Sequence, residues 1–211
     1  FIELIELKIL NIETLERIDK QKMYEVYEKW PEIARNSFES QIEAEDFEGI
    51  EHIVFGGMGG SGAIGDMFAS ILSKIKIHVN VVKGYALPET VNSNTLIVIL
   101  SVSGNTSETL SLLKSAKKMN AKIIAFSSGG KIQDYCIKNN IKHTWVSKFH
   151  SPRATFPSFL YTMLKVLHQT LKIKEEDIID SIEKLEILQK KINSSNLTES
   201  NVSLNLAKSI K

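Results

Sequence analysis

Beyond Gly49 the chain alternates between two hydrophobic rhythms. Short, almost continuously apolar runs occur at Ile53–Phe55, Ile77–Val82, Leu96–Leu100, Ile123–Phe126 and Thr144–Val146. Between them, Ile64–Ser73, Thr109–Met119 and Ile132–Asn139 space their apolar residues three and four apart, the repeat of one helix face. Strands that lack polar alternation are those buried on both faces, and crossover helices between them make neighbouring strands parallel. The pattern predicts an α/β protein with a flavodoxin-like, doubly wound sheet of five parallel strands.

The flanks are helical. Glu13–Ser40 carries helical spacing, with Met23, Val26, Tyr27 and Trp30 on one side, before Pro31 punctuates the run. Beyond Pro152, Phe159, Leu160, Met163, Leu164 and Leu167 form one stripe. Lys174–Ile192 forms a second helix with Ile178, Ile182, Leu185 and Leu188 on one face. From Asn193 to Asn201 the sequence turns polar and small, the composition of a linker, and Val202–Ile210 then starts another amphipathic helix. The expected division is a helical extension over 1–45, the sheet domain with its C-terminal helices over 46–192, and a linker plus the opening of a further unit over 193–211.

Two glycine- and serine-rich turns follow apolar strands and lead into helices. They are Gly56-Gly-Met-Gly-Gly-Ser-Gly62 and Ser101-Val-Ser-Gly-Asn-Thr-Ser-Glu108. In a parallel sheet such turns share the carboxyl edge, where ligands bind. Backbone N–H groups at a helix start attract an anion, glycines allow close approach, and hydroxyls add donors. The plain structural alternative, tight turns and caps, is weaker for two converging loops than for one. Gly57-x-Gly59-x-x-Gly62 also matches a dinucleotide fingerprint, which needs an acid about 20 residues on, at the end of the second strand. That strand ends in Val82-Lys83-Gly84 and Asp66 falls too early, so a dinucleotide is disfavoured. No Lys-Ser/Thr pair follows the glycines, which argues against a P-loop.

Composition narrows the classes. The 211 residues allow one α/β domain of ordinary size and a remnant, and a net charge of +1 argues against a nucleic-acid partner. No apolar run approaches the roughly 18 residues of a membrane span. Ile2–Leu10 is apolar-rich, but Glu3, Glu6 and Lys8 interrupt it, making it a poor signal-peptide core. A single cysteine, Cys136, excludes an internal disulfide and fits a reducing compartment, so the chain reads as cytoplasmic. No metal-ligand spacing is present, and no cofactor is expected.

GGMGGSG at 56–62 together with SVSGNTSET from Ser101 resembles the SIS (sugar isomerase) domain family. The GMGGSG form of the first loop and Ser151-Pro-Arg-Ala154 are similar to the branch of bifunctional phosphoglucose/phosphomannose isomerases. The resemblance covers Asp46 to Leu171 and implies metal-free aldose–ketose isomerisation of glucose, mannose and fructose 6-phosphates through an enediolate. It implies that Gly60, Ser61, Ser101, Ser103 and Thr106 hold the phosphate and that Arg153 stabilises the enediolate charge. A guanidinium suits that task because it stays ionised and offers several donors. Against this, Arg153 could be a surface ion pair or a helix-start residue. Val102 departs from an aromatic often found there, with its side chain expected to face away from the phosphate. The family's glutamate and histidine belong to a second SIS domain, the histidine reaching across a homodimer interface, and this chain stops where that domain would open. Of the five histidines only His150, three positions before Arg153, is expected near the pocket. A competing class is a non-catalytic phosphosugar-sensing module, which the absent acid–base pair would suit.

Overall fold

The structure, a computed structural model, describes residues 11–210. The Ile2–Leu10 segment and Lys211 lie outside the described residues. Three short helices come first: α1 (Ile12–Ile18), α2 (Met23–Glu28) and α3 (Trp30–Phe38). The single helical run read from Glu13 to Ser40 is therefore divided. Asn11 caps α1, and the chain then turns at Asp19, whose Oδ2 accepts from Tyr24 N at 2.9 Å. That donated amide holds the Asp19 carboxyl below its usual range. Pro31 opens α3 instead of closing the run before it, because a proline in the first turn removes an N–H that has no helical partner anyway.

The sheet then follows as strand–helix units. They are β1 (His52–Gly57), α4 (Gly60–Ile71), β2 (His78–Val82), β3 (Thr95–Ser101), α5 (Ser107–Lys118), β4 (Lys122–Ser127), α6 (Gly130–Lys138) and β5 (Lys142–Trp145). All four strand pairings are parallel, in the order β2-β1-β3-β4-β5, with Phe55 opposite both Val81 and Val98. This is the five-stranded, doubly wound α/β sheet that the apolar runs predict. The chain moves from β1 to β2 on one side and then to β3 on the other, so the strand order reverses between β1 and β3.

Period-two alternation divides the buried strands between two cores. Ile53, Phe55, Leu96, Val98, Leu100, Ile124 and Phe126 face one side, against Ile64 and Phe68 of α4 and the helices α3, α7 (Phe156–Leu171) and α8 (Glu175–Ile192). Val54, Ile97, Ile99 and Ala125 face the other, against Leu112, Leu113 and Ala116 of α5 and Ile132 and Cys136 of α6. Phe55 and Phe68 stack at 5.2 Å between ring centroids. α7 is buried around almost its whole circumference, since α3 and α4 pack on it and Phe159, Met163 and Leu167 are fully enclosed. On α8, Ile178 and Ile182 are buried but Leu188 is 46% exposed, so the stripe read from the sequence leaves the core at its C-terminal end.

The polar stretch after α8 folds back on earlier helices. Ser194 N donates to Glu28 Oε1 at 2.6 Å, and the buried Asn201 donates from Nδ2 to Asn196 O at 2.8 Å. Asn201 Oδ1 also accepts from Leu204 N, capping α9 (Val202–Ser209). Among the described residues no helix is long and apolar enough to cross a membrane.

Candidate active site

The turns after β1 and β3 lie side by side at the point where the strand order reverses. The first turns at Gly59, whose φ of +53° few side chains tolerate, and opens α4 at Gly60. Ser61 is buried and its Oγ accepts from Val102 N at 3.3 Å, tying the first turn to the second. Val102 itself lies in the core, as expected for a side chain directed away from the turn's polar face.

In the second turn three hydroxyls form a chain. Ser101 Oγ lies 3.1 Å from Thr106 Oγ1, which is 3.5 Å from Ser103 Oγ. Gly104 N donates to Ser101 Oγ at 3.1 Å and Asn105 N to Ser103 Oγ at 3.2 Å, so backbone donors fix two of the three oxygens. Ser101 is buried, Thr106 half-buried and Ser103 exposed, a gradient from the sheet to solvent. Thr106 precedes α5 without making a side-chain capping bond, leaving amides of the first helical turn without that partner. β2 ends at Val82, and Lys83 then lays its stem over Gly62 and pairs with Asp66 at 2.6 Å.

Arg153 comes to the same edge from a turn before α7. Thr155 closes this turn: its N and Oγ1 donate to Ser151 O at 3.0 and 2.8 Å, and its Oγ1 accepts from Phe149 N at 3.1 Å. A Cβ on Gly60 would lie 3.8 Å from Pro152 O, which puts the start of α4 beside this turn. Between them is an open cleft of about 820 Å³ lined by Met23, Trp30, Gly59, Gly60, Ala63, Ser151, Pro152, Arg153 and Phe156. Arg153 is exposed and makes no ion pair with any described residue, while its carbonyl accepts from Phe156 N at 3.3 Å in the turn that opens α7.

Thus Gly60 and Arg153 share one cleft, while Ser61, Ser101, Ser103 and Thr106 belong to the joined turns. His150 is exposed and does not line the cleft. His52 and His143 are strand residues, and His168 is held in α7 by Lys165 O at 3.0 Å and Glu175 at 3.1 Å. Two contributors were not picked out from the sequence. One is the cleft wall made by Met23 and Trp30. The other is a third turn at the same edge, Ser127-Ser-Gly-Gly130 after β4, which repeats the strand-then-hydroxyl-and-glycine signal of the first two. Its Ile132 N donates to Gly104 O at 2.9 Å and its Lys131 N to Asn105 Oδ1 at 3.2 Å, bracing the second turn, and Ser128 Oγ is buried without a partner. Among the described residues, no three His, Cys, Asp or Glu side chains are grouped as metal ligands would be.

Residues 47–143, the sheet with its three turns, match the family model described as SIS domain. This region is an SIS domain. The chain is 36% identical over 161 residues to the bifunctional phosphoglucose/phosphomannose isomerase of Caldicellulosiruptor bescii, a match covering 75% of this chain and 45% of that protein. It is 28% identical over 164 residues to the D-glucosamine-6-phosphate 4-epimerase of Sulfolobus acidocaldarius, covering 76% of this chain and 52% of that protein. The C-terminal domain of glucosamine-fructose-6-phosphate aminotransferase from Francisella tularensis has a similar fold, with a TM-score of 0.58 at 16% identity, over 80% of this chain and 54% of that one. The chain spans about half the length of the curated relatives it matches.

Proposed function

We propose that this chain is the phosphosugar-holding part of an aldose–ketose isomerase that interconverts glucose 6-phosphate, mannose 6-phosphate and fructose 6-phosphate. The observation that carries this reading is the joining of a glycine-rich turn and a hydroxyl-rich turn at the reversal of strand order, through the Ser61–Val102 bond. A phosphate dianion calls for many donors. Ser61, Ser101, Ser103 and Thr106, with Gly60 and the uncapped start of α5, offer that set. The similarity to phosphoglucose/phosphomannose isomerases over three quarters of the chain supports it.

In this reading the turns hold the phosphate and Arg153 stabilises the negative charge that develops on oxygen when a proton leaves C2. Ring opening and transfer of that proton between C2 and C1 need an acid and a base. The lining of the cleft contains no carboxylate or imidazole. We assign these groups to a glutamate and a histidine of a second SIS domain beyond Lys211, with the histidine supplied by the other subunit of a homodimer.

An isomerase assay on the chain, beside the chain carrying its native continuation, tests the reading. The extended polypeptide is expected to interconvert the three sugars without added metal, while the chain alone binds fructose 6-phosphate without turnover. Arg153→Ala in the extended polypeptide should lower kcat by about a hundredfold or more, with a smaller change in affinity; an unchanged rate removes Arg153 from the mechanism. One other reading fits a phosphate-holding sheet edge, a phosphosugar-sensing module. That module is indicated if both polypeptides bind fructose 6-phosphate and neither isomerises it.

A further inference from the structure

The turn that carries Arg153 is tied on both sides of the arginine to helices that precede the SIS domain. On one side Trp30 Nε1, at the start of α3, donates to Ala154 O at 3.1 Å. On the other Ser151 Oγ donates to Met23 Sδ of α2 at 3.9 Å, a weak bond, and the same oxygen accepts from Ala154 N at 3.3 Å. Tyr27 packs edge-on against the Trp30 ring at 4.7 Å between centroids, fixing the indole. Met23 and Trp30 also line the cleft with Gly60 and Arg153. The Arg153 side chain has no ionic partner among the described residues, so its position depends on its backbone. Within that backbone Ala154 is fully buried, and its carbonyl is held from outside the turn by the indole N–H.

We infer that Trp30 is a positioning residue for Arg153: its indole N–H locks the 151–155 turn at the height where the guanidinium meets the sugar carbons. The helical segment before the SIS domain is then part of the active site and not only a cover for α7. This rests on the isomerase reading given above. Misplacing a charged donor by about an ångström costs the reaction more than it costs ground-state binding, since the phosphate is held elsewhere.

The test uses Trp30→Phe, which keeps the aromatic ring and removes the donor, in the polypeptide with its native continuation. The expected result is a kcat lowered about tenfold with KM for fructose 6-phosphate changed by less than about twofold, the pattern of an interaction made in the transition state. Arg153→Ala should mask the effect, so that the double variant falls within about twofold of Arg153→Ala alone. Hydrogen–deuterium exchange, which needs no activity, should be faster at residues 151–155 in Trp30→Phe and unchanged in α4 and β3. Unchanged exchange at 151–155 overturns the tether. Faster exchange with an unchanged kcat, with a loss confined to KM, or with a loss that multiplies that of Arg153→Ala, overturns the positioning role. If the unsubstituted polypeptide does not isomerise sugar phosphates, the isomerase reading fails, and exchange alone decides the tether.

Discussion

A methyl group added at Gly104 would overlap the carbonyl oxygen of Gly129, and Gly104 has a φ of +67°, so both space and backbone angle demand glycine. The reason is that the turns after β3 and β4 press directly together there, with Ile132 N donating to Gly104 O. Gly104→Ala is expected to destabilise the fold by upwards of about 2 kcal/mol, from overpacking plus left-handed strain, and to lower Tm by about 5 °C or more in a thermal melt. A melt within a degree of the parent would mean the turns can separate without cost. Ser103, two positions from the sheet, is exposed and bonded only within its own turn. Ser103→Ala should leave Tm nearly unchanged and weaken fructose 6-phosphate binding by about 0.5–1.5 kcal/mol, more if the bond is charge-assisted. Calorimetric titration of the chain reads this directly, and an unaltered Kd would exclude Ser103 from the phosphate site.

At the level of elements, the strands and their crossover helices were legible because a doubly covered sheet needs continuous apolar runs, and Leu96–Leu100 or Ile123–Phe126 can be little else. The two turns were legible because glycine and serine directly after such runs have few structural explanations. The N-terminal helices were less so. Pro31 fits equally well after one helix or within the first turn of the next, and spacing alone does not choose. The 124-position separation between Trp30 and Ala154 leaves no trace in local sequence, so the cleft wall appears only when α3 is laid on α7. Between β4 and β5, Ser127 Oγ donates to Gly129 O at 2.9 Å, which leaves His143 Nε2, 2.7 Å away, to donate its proton to the serine oxygen. Burial pushes the His143 pKa below its ordinary value near 6.5. Between the two values the unfolded chain binds the extra proton, so the stability held above about pH 6.5 is lost as pH falls through the folded pKa. His143→Gln should remove that part of the dependence. Urea melts of parent and variant should converge at low pH and separate as pH rises, and parallel curves between pH 5 and 7 would refute the assignment.

The molecule as a whole places its two cores on opposite faces of the sheet, while the three turns lie along one edge with the Arg153 turn beside the first of them. Binding at that edge therefore engages the ends of β1, β3 and β4 together with the start of α7, and it should be visible as stabilisation of the entire domain. A ligand that binds only the folded state at a concentration of about 100 Kd adds roughly 2.7 kcal/mol, which for a chain of this size raises Tm by about 5–10 °C. Fructose 6-phosphate is expected to give such a shift in the chain alone, inorganic phosphate a smaller one, and unphosphorylated fructose none. The variants then divide by role. Arg153→Ala should retain most of the shift, because its proposed contribution belongs to the transition state, whereas Ser103→Ala should lose part of it at the same ligand concentration. A full shift with unphosphorylated fructose would move recognition away from the turns to the cleft. If saturating fructose 6-phosphate gives no shift at all, the sugar-phosphate reading of this edge is lost, and with it the role of each residue assigned there.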